Sequence, residues 1–227
     1  MTNDNPPIEY QLTIIQQPEL SMVISSSQRD RRCIEPCPVI QVQMIRPDRT
    51  EVDISDAGEE YVMCAQLYKE NGEEPVDTAE VSMAVGGDQQ GANFVKMPLK
   101  SPLSGTTLSS HNRVKALSDE PVTVFCFPDL RSWIDGRFRL RFALFYLPKG
   151  DSPLSRPTSF MASVMSDKLT IYTQKEFPGV YESTPLSKKL NKQGILIPIR
   201  NRNRLRNNDE ESSANIEIEY SDQDQDA

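Results

Sequence analysis

The sequence predicts an all-β sandwich with one short helix near its C-terminal end. Three observations carry this. Several segments alternate apolar and polar residues with the two-residue period of a half-buried strand. Turn residues separate them at short intervals, which favours a sandwich over alternating helices and strands. Only one segment has the start, stop and spacing of a helix.

The strands follow in order. Tyr10-Gln11-Leu12-Thr13-Ile14 alternates cleanly. Ile40, Val42 and Met44 alternate with Gln41 and Gln43, Pro47-Asp48 supplies a turn, and Val52 and Ile54 begin the return. Residues 61–68, YVMCAQLY, are apolar on both faces and end at Asn71-Gly72, a type I′ hairpin signal. Residues 122–127, VTVFCF, make a further buried strand. In residues 137–142, Phe138, Leu140 and Phe142 face one way and Arg137, Arg139 and Arg141 the other. Residues 169–173 and 195–199 read as late strands, the second at an edge because Pro198 lacks a donor.

The helix is expected from Thr184 as N-cap, through Pro185 in the first turn, to Gly194 at its end. Leu186 and Leu190 share one face, and Lys188, Lys189 and Lys192 lie toward the C-terminal end, where cations suit the helix dipole. Residues 84–102 and 147–166 are rich in Gly, Pro and Ser and read as flexible insertions. Residues 1–8 and 207–227 are expected to be disordered, leaving one domain over 9–206.

The 227 residues carry 25 Lys+Arg and 33 Asp+Glu, a net charge of −8. Residues 207–227 hold 8 acids and no base, so the remainder balances at 25 of each sign. The acidic total therefore says nothing against a nucleic-acid partner. What matters is where the bases cluster. No run approaches the ~18 apolar residues of a membrane span, and residues 1–7, with no basic start and no apolar run, are not expected to act as a secretory signal.

Cys33, Cys37, Cys64 and Cys126 are expected as reduced thiols. Their spacing supplies no zinc motif, and neither a metal nor a cofactor is expected. His111 is the single histidine, so any Ser–His or Cys–His catalytic pair would depend on it. No catalytic role is expected.

Two basic clusters stand out. Arg29, Arg31 and Arg32 follow Ser25-Ser26-Ser27-Gln28 and form a compact cationic tip. Guanidiniums there can take phosphate bidentately or read the O6/N7 edge of guanine. Spacing alone favours a solvated loop or ion pairs with Asp30 and Glu35. The second cluster is Lys188, Lys189, Lys192, Arg200, Arg202, Arg204 and Arg206, with no acid between residues 183 and 206. It could track a phosphate backbone, serve nuclear import, or pair with the acidic tail. Arg137, Arg139 and Arg141 fit a solvated sheet face better than a DNA footprint. Cys33 follows the arginines directly, and their field could lower its pKa, but a plain loop thiol is the favoured reading.

Six blocks in order resemble the velvet domain of fungal developmental regulators. They are Gln17-Pro18-Glu19 with Arg29 to Pro36, Leu103 to Thr107, Phe127 to Leu130, Gly136 to Phe142, Tyr172 to Gly179, and Glu182 to Ser187 with Gln193-Gly194 and Ile199-Arg200. The resemblance covers roughly residues 9–201. It implies an immunoglobulin-like fold akin to the N-terminal domain of Rel-type transcription factors. It also implies double-stranded DNA as partner, homo- or heterodimers with other velvet proteins, and a nuclear location. Sporulation and secondary metabolism are the processes it suggests, and some members associate with a methyltransferase-like regulator. Arg29, Arg31 and Arg32 match the family's basic DNA-contact loop, whereas Ser27 falls where some relatives carry a Lys. Lys188, Lys189, Lys192 and Arg200 are expected to add phosphate contacts. The competing expectation is an adaptor that binds another velvet protein and leaves DNA reading to it.

Overall fold

A computed structural model describes residues 8–24, 32–57, 60–85, 93–99, 101–147 and 158–200. In chain order the strands are β1 (Glu9–Gln16), β2 (Leu20–Met22), β3 (Val39–Ile45), β4 (Glu51–Val52), β5 (Glu60–Lys69), β6 (Ala79–Val85) and β7 (Asn93–Leu99). There follow β8 (Leu103–Ser104), β9 (Leu108–Lys115), β10 (Pro121–Cys126), β11 (Arg131–Ser132), β12 (Gly136–Leu147), β13 (Ser159–Met165) and β14 (Leu169–Tyr172). The single α-helix among the described residues, α1, spans Pro185–Lys192.

The main sheet runs β1-β3-β10-β9-β5-β12-β14-β2, with β4 on β3 and β13 on β12. Every pair is antiparallel except β14 with β2. The sheet curls until β1 faces β5 across the interior. There the Tyr10 and Tyr61 hydroxyls meet at 2.9 Å. Alternation explains the closure. Ile40, Val42, Phe125 and Phe127 line one inner layer, and Leu140, Phe142 and Leu144 line the other. Phe127 and Phe142 meet with ring centroids 5.1 Å apart. Burying each such side chain stabilises the fold by about 1.5–3 kcal/mol.

On the outer face of β12, Arg139 donates to the carbonyls of Glu70 and Ser166 at 3.0 and 2.7 Å. Arg141 donates to the Tyr68 hydroxyl at 2.9 Å and lies over the Phe160 ring. These two arginines therefore serve the sheet, as a solvated sheet face suggested.

A second apolar cluster lies outside the curl. Leu186 and Leu190 of α1, with Ile197, cover Cys37, Val39, Val114, Val124 and Cys126. Thr184 caps the helix by accepting from the Ser187 amide at 3.0 Å. Buried Gln16 donates to the Cys37 carbonyl at 2.7 Å and to the Ser187 hydroxyl at 2.9 Å, fixing the helix start against β1.

Three local expectations are corrected. Residues 195–199 form no strand. They run as a strap whose neighbour Arg200 exchanges bonds with Ser183, and only Ile197 among them is fully buried. The turn at Asn71-Gly72 is not type I′, because Gly72 alone has positive φ (77°) and its amide donates to Lys69. That is a type I turn closed by a left-handed glycine. The two segments read as insertions contain regular structure. β6 and β7 form a hairpin, and β13 is an edge strand on β12. Proline and serine content hid β13, and a register shift opposite Leu144 and Phe145 breaks its alternation, leaving Phe160 exposed while Met161 and Val164 pack on the core.

Candidate nucleic-acid interface

The arginine segment springs from a narrow base. Ile24 donates its amide to the Ser132 carbonyl at 2.8 Å, and Ile34 donates to the Leu130 carbonyl at 2.7 Å. Both stems of the segment are thus held by acceptors two residues apart, one on β11 and one just before it. Glu35 adds a bridge to Leu20, with bonds of 2.9 and 2.8 Å in the two directions. Arg29 and Arg31 lie outside the described residues. Arg32 stands at the stem, where its carbonyl accepts from Ser21 Oγ at 3.2 Å and its guanidinium lies 5.6 Å from the Phe177 ring centroid. Phe177 packs edge-on against Tyr172, so the turn after β14 supplies an aromatic support for the first described arginine.

The base itself depends on two of the sequence blocks singled out above. β8 pairs with β11. The Thr106 amide donates to Asp129 Oδ1 at 2.8 Å. Gly105 has φ +88°, and a Cβ there would sit 2.2 Å from the Asp129 carbonyl oxygen. Only glycine fits that approach. The blocks at 103–107 and 127–130 are therefore one structural unit, and that unit presents the arginine segment.

Sequence reading missed Arg131. It lies on β11 between the two stem acceptors, half-buried, with Nε donating to the Asp129 carbonyl at 3.3 Å. A lone arginine in a turn-rich stretch carries no periodic signal. Its importance comes from long-range pairing that brings residues 24 and 34 to either side of it.

Of the two readings of Cys33, the activated thiolate is the one that fails. Burial pushes its thiol above the ordinary range, and the pull of Arg131 does not reverse this. It is no activated thiolate. Cys37 is raised well above the usual thiol value by burial and Cys126 is pushed up to about 12 by the same cause, and all four cysteines are free.

The second cluster is largely engaged by acids. Lys188 pairs with Glu182, Lys189 with Asp119, and Arg200 with Glu35. Lys192 is exposed and has no ion pair among the described residues. Arg202, Arg204 and Arg206 lie outside the described residues, as does the acidic tail. The structure brings Arg200 toward the arginine segment through Glu35. It carries Lys189 instead toward the β9–β10 turn, where Gln193 also bonds Lys115. Between residues 33–37 and the strap lies a cleft of about 210 Å³, walled by Ile34, Pro36, Pro128, Tyr181 and Ile197.

His111 packs edge-on against Phe125, and its buried Nδ1 has no hydrogen-bond partner among the described residues. No group of three or more His, Cys, Asp or Glu side chains among the described residues could hold a metal ion. No helix of the described chain is long and apolar enough to cross a membrane.

Comparison with known proteins settles the family. The velvet factor family model matches residues 10–98 and 87–204. This chain belongs to the velvet family. It is 33% identical over 193 residues to a sexual development regulator of Mycosarcoma maydis, covering 85% of this chain and 45% of that protein. It is 34% identical over 194 residues to a sexual development regulator of Pyricularia oryzae, covering 85% of this chain and 41% of that one. A spore development regulator of Ajellomyces capsulatus is 29% identical over 200 residues, covering 85% of this chain and 43% of its own length. The chain thus spans less than half the length of these curated relatives. The sequence blocks that suggested a velvet domain all fall within the matched residues.

Proposed function

We propose that this velvet protein is a DNA-binding regulator of fungal development, acting in the nucleus as a homo- or heterodimer with velvet partners. The names of its relatives, which refer to sexual and spore development, support the developmental role. The observation that carries DNA contact is the paired anchoring of the arginine segment on either side of Arg131. A loop whose stems are fixed pays less ordering entropy when it binds, so its guanidiniums are better placed for a groove. Arg29, Arg31 and Arg32 contact base edges or phosphates. Lys192 is free to add a phosphate contact. Lys188 and Lys189 do so by exchanging exposed carboxylates for phosphates, a trade that costs about 1 kcal/mol or less. A dimer would present two such loops to two half-sites. A methyltransferase-like regulator is a further partner of this reading, and secondary metabolism a further output.

A second reading is favoured by the engagement of Lys188, Lys189 and Arg200 with acids of the body. In that reading the chain is an adaptor whose velvet partner reads DNA. Fluorescence anisotropy of a labelled duplex pool, titrated at two salt concentrations, separates the two. Direct reading gives binding that weakens with salt by a log–log slope of about −0.9 per phosphate contact. The Arg29→Ala, Arg31→Ala, Arg32→Ala triple variant should then lose binding with its circular dichroism intact. Absence of duplex binding by the wild-type chain, together with co-purification of a velvet partner, would select the adaptor.

A further inference from the structure

The bond between Arg200 and Glu35 joins two segments that are far apart in sequence. Arg200 is fixed at its backbone. Its amide donates to Ser183 Oγ at 2.9 Å and its carbonyl accepts from the Ser183 amide at 3.1 Å. Its guanidinium then reaches Glu35, and both side chains are more than three-quarters covered (24% and 22% exposed). Glu35 is three residues from Arg32 and is itself bridged to Leu20 of β2. A guanidinium so covered and so paired is poorly placed to be a phosphate contact, because leaving Glu35 would take the largest cationic pull from a mostly covered carboxylate and leave it only that of Arg32. It is well placed to hold the stem from which the arginines project.

We propose that Arg200 is a positioning residue, which locks the arginine segment to the strap after α1 through Glu35 and does not itself touch DNA. This rests on the DNA-binding reading above and reassigns one residue within it. Ser183 belongs to the lock, since it fixes the Arg200 backbone from both directions. The strap thereby acquires a role that its lack of strand pairing left unexplained. It brings a base from the far end of the domain to the exit of the binding loop.

Two readouts test this on the full chain. The first is anisotropy with a labelled duplex over a salt series. The second is amide hydrogen exchange of peptides covering residues 20–24 and 32–37, with no DNA present. Arg200→Ala and Glu35→Gln should each weaken binding about five- to tenfold, the lower range of site–site coupling, and leave the salt slope unchanged. Each should speed exchange in both peptides. The Glu35→Gln, Arg200→Gln double variant should bind no worse than either single change. Arg200→Lys keeps the charge but loses the planar fork, so it should behave like Arg200→Ala.

A direct phosphate contact would instead lower the slope by about 0.9 in magnitude, leave exchange unchanged, and be largely rescued by Arg200→Lys. That result overturns the proposal, as does an Arg200→Ala variant indistinguishable from wild type in both readouts. Should the wild-type chain bind no duplex, DNA contact falls and exchange alone judges the lock. Faster exchange in Arg200→Ala then upholds it, and unchanged exchange overturns it.

Discussion

Gly105 offers the most direct test of how the base of the arginine segment is built. It sits at φ +88°, and an added Cβ would lie 2.2 Å from the Asp129 carbonyl oxygen and 3.0 Å from its carbonyl carbon. Two costs follow for Gly105→Ala. Holding alanine in left-handed backbone costs about 1–2 kcal/mol. Relieving the overlap requires the 127–130 turn to retreat, because its nearest obstacle is backbone, and overpacking of this kind costs about 1–3 kcal/mol. The sum is about 2–5 kcal/mol, or about 1–2 M off the urea midpoint at a typical slope of ~2–3 kcal/mol/M. Gly179 is the control. Its φ is +103°, yet nothing lies within 4 Å of the added Cβ. Gly179→Ala should lose only the backbone part, about 1–2 kcal/mol. Urea unfolding followed by circular dichroism measures both. Equal losses in the two variants would show that the approach of Asp129 to Gly105 does not matter, and the argument that residues 103–107 brace β11 would fail with it.

Asp53 should give the fold part of its acid sensitivity. Burial alone would raise its pKa, but bonds from Thr123 and Ser55 and the nearby Arg113 outweigh that and hold it low. A lowered folded pKa contributes stability above the unfolded value, near ~3.9, that disappears as pH falls through the folded value. Asp53→Asn should therefore flatten the dependence of the urea midpoint on pH below about 4, and an unchanged slope would contradict this. Phe177→Ala removes the ring beside Arg32 and should weaken duplex binding about three- to fivefold, the equivalent of ~0.5–1 kcal/mol; full affinity in the anisotropy titration would deny the ring a supporting role. Thiol labelling at pH 8 should modify Cys64 and Cys33 before Cys37 and Cys126, which should react only on unfolding. Rapid labelling of Cys126 would mean that α1 and the strap leave the outer cluster open.

The sheet was legible wherever burial is one-sided. β12 shows this best, because Phe138, Leu140 and Phe142 needed to face the core and the arginines between them needed not to. α1 was legible because its ends carry their own chemistry, Thr184 at one and Gly194 at the other. The failures have one cause. Residues 195–199 are apolar for contact with a second cluster outside the main curl, which mimics the pattern of a strand without strand pairing. β13 takes its identity from its neighbour β12, and no local feature outweighed the serine and proline around it. In the candidate site, charge patterning found the arginine segment and the cations of α1. It could not find Arg131 or the Glu35–Arg200 pair. Those depend on which residues the fold brings together across separations of 96, 108 or 165 positions.

The distribution of acids then narrows what the bases can do. Lys188, Lys189 and Arg200 all have carboxylate partners, but the partners differ in environment. Asp119 is mostly exposed, and Lys189 can exchange it for a phosphate at little cost. Glu35 is mostly covered, and burial raises its pKa even against the pull of Arg200. Breaking that pair therefore means either protonating Glu35 or leaving it charged with only the weaker pull of Arg32, and each opposes release of Arg200. Cations on α1 can thus join and leave a phosphate backbone freely, which suits adjustable, salt-sensitive contacts. The cation on the strap cannot, which suits a fixed part. Under the proposed DNA-binding reading, the same sequence cluster would divide into two roles according to how deeply each carboxylate is covered.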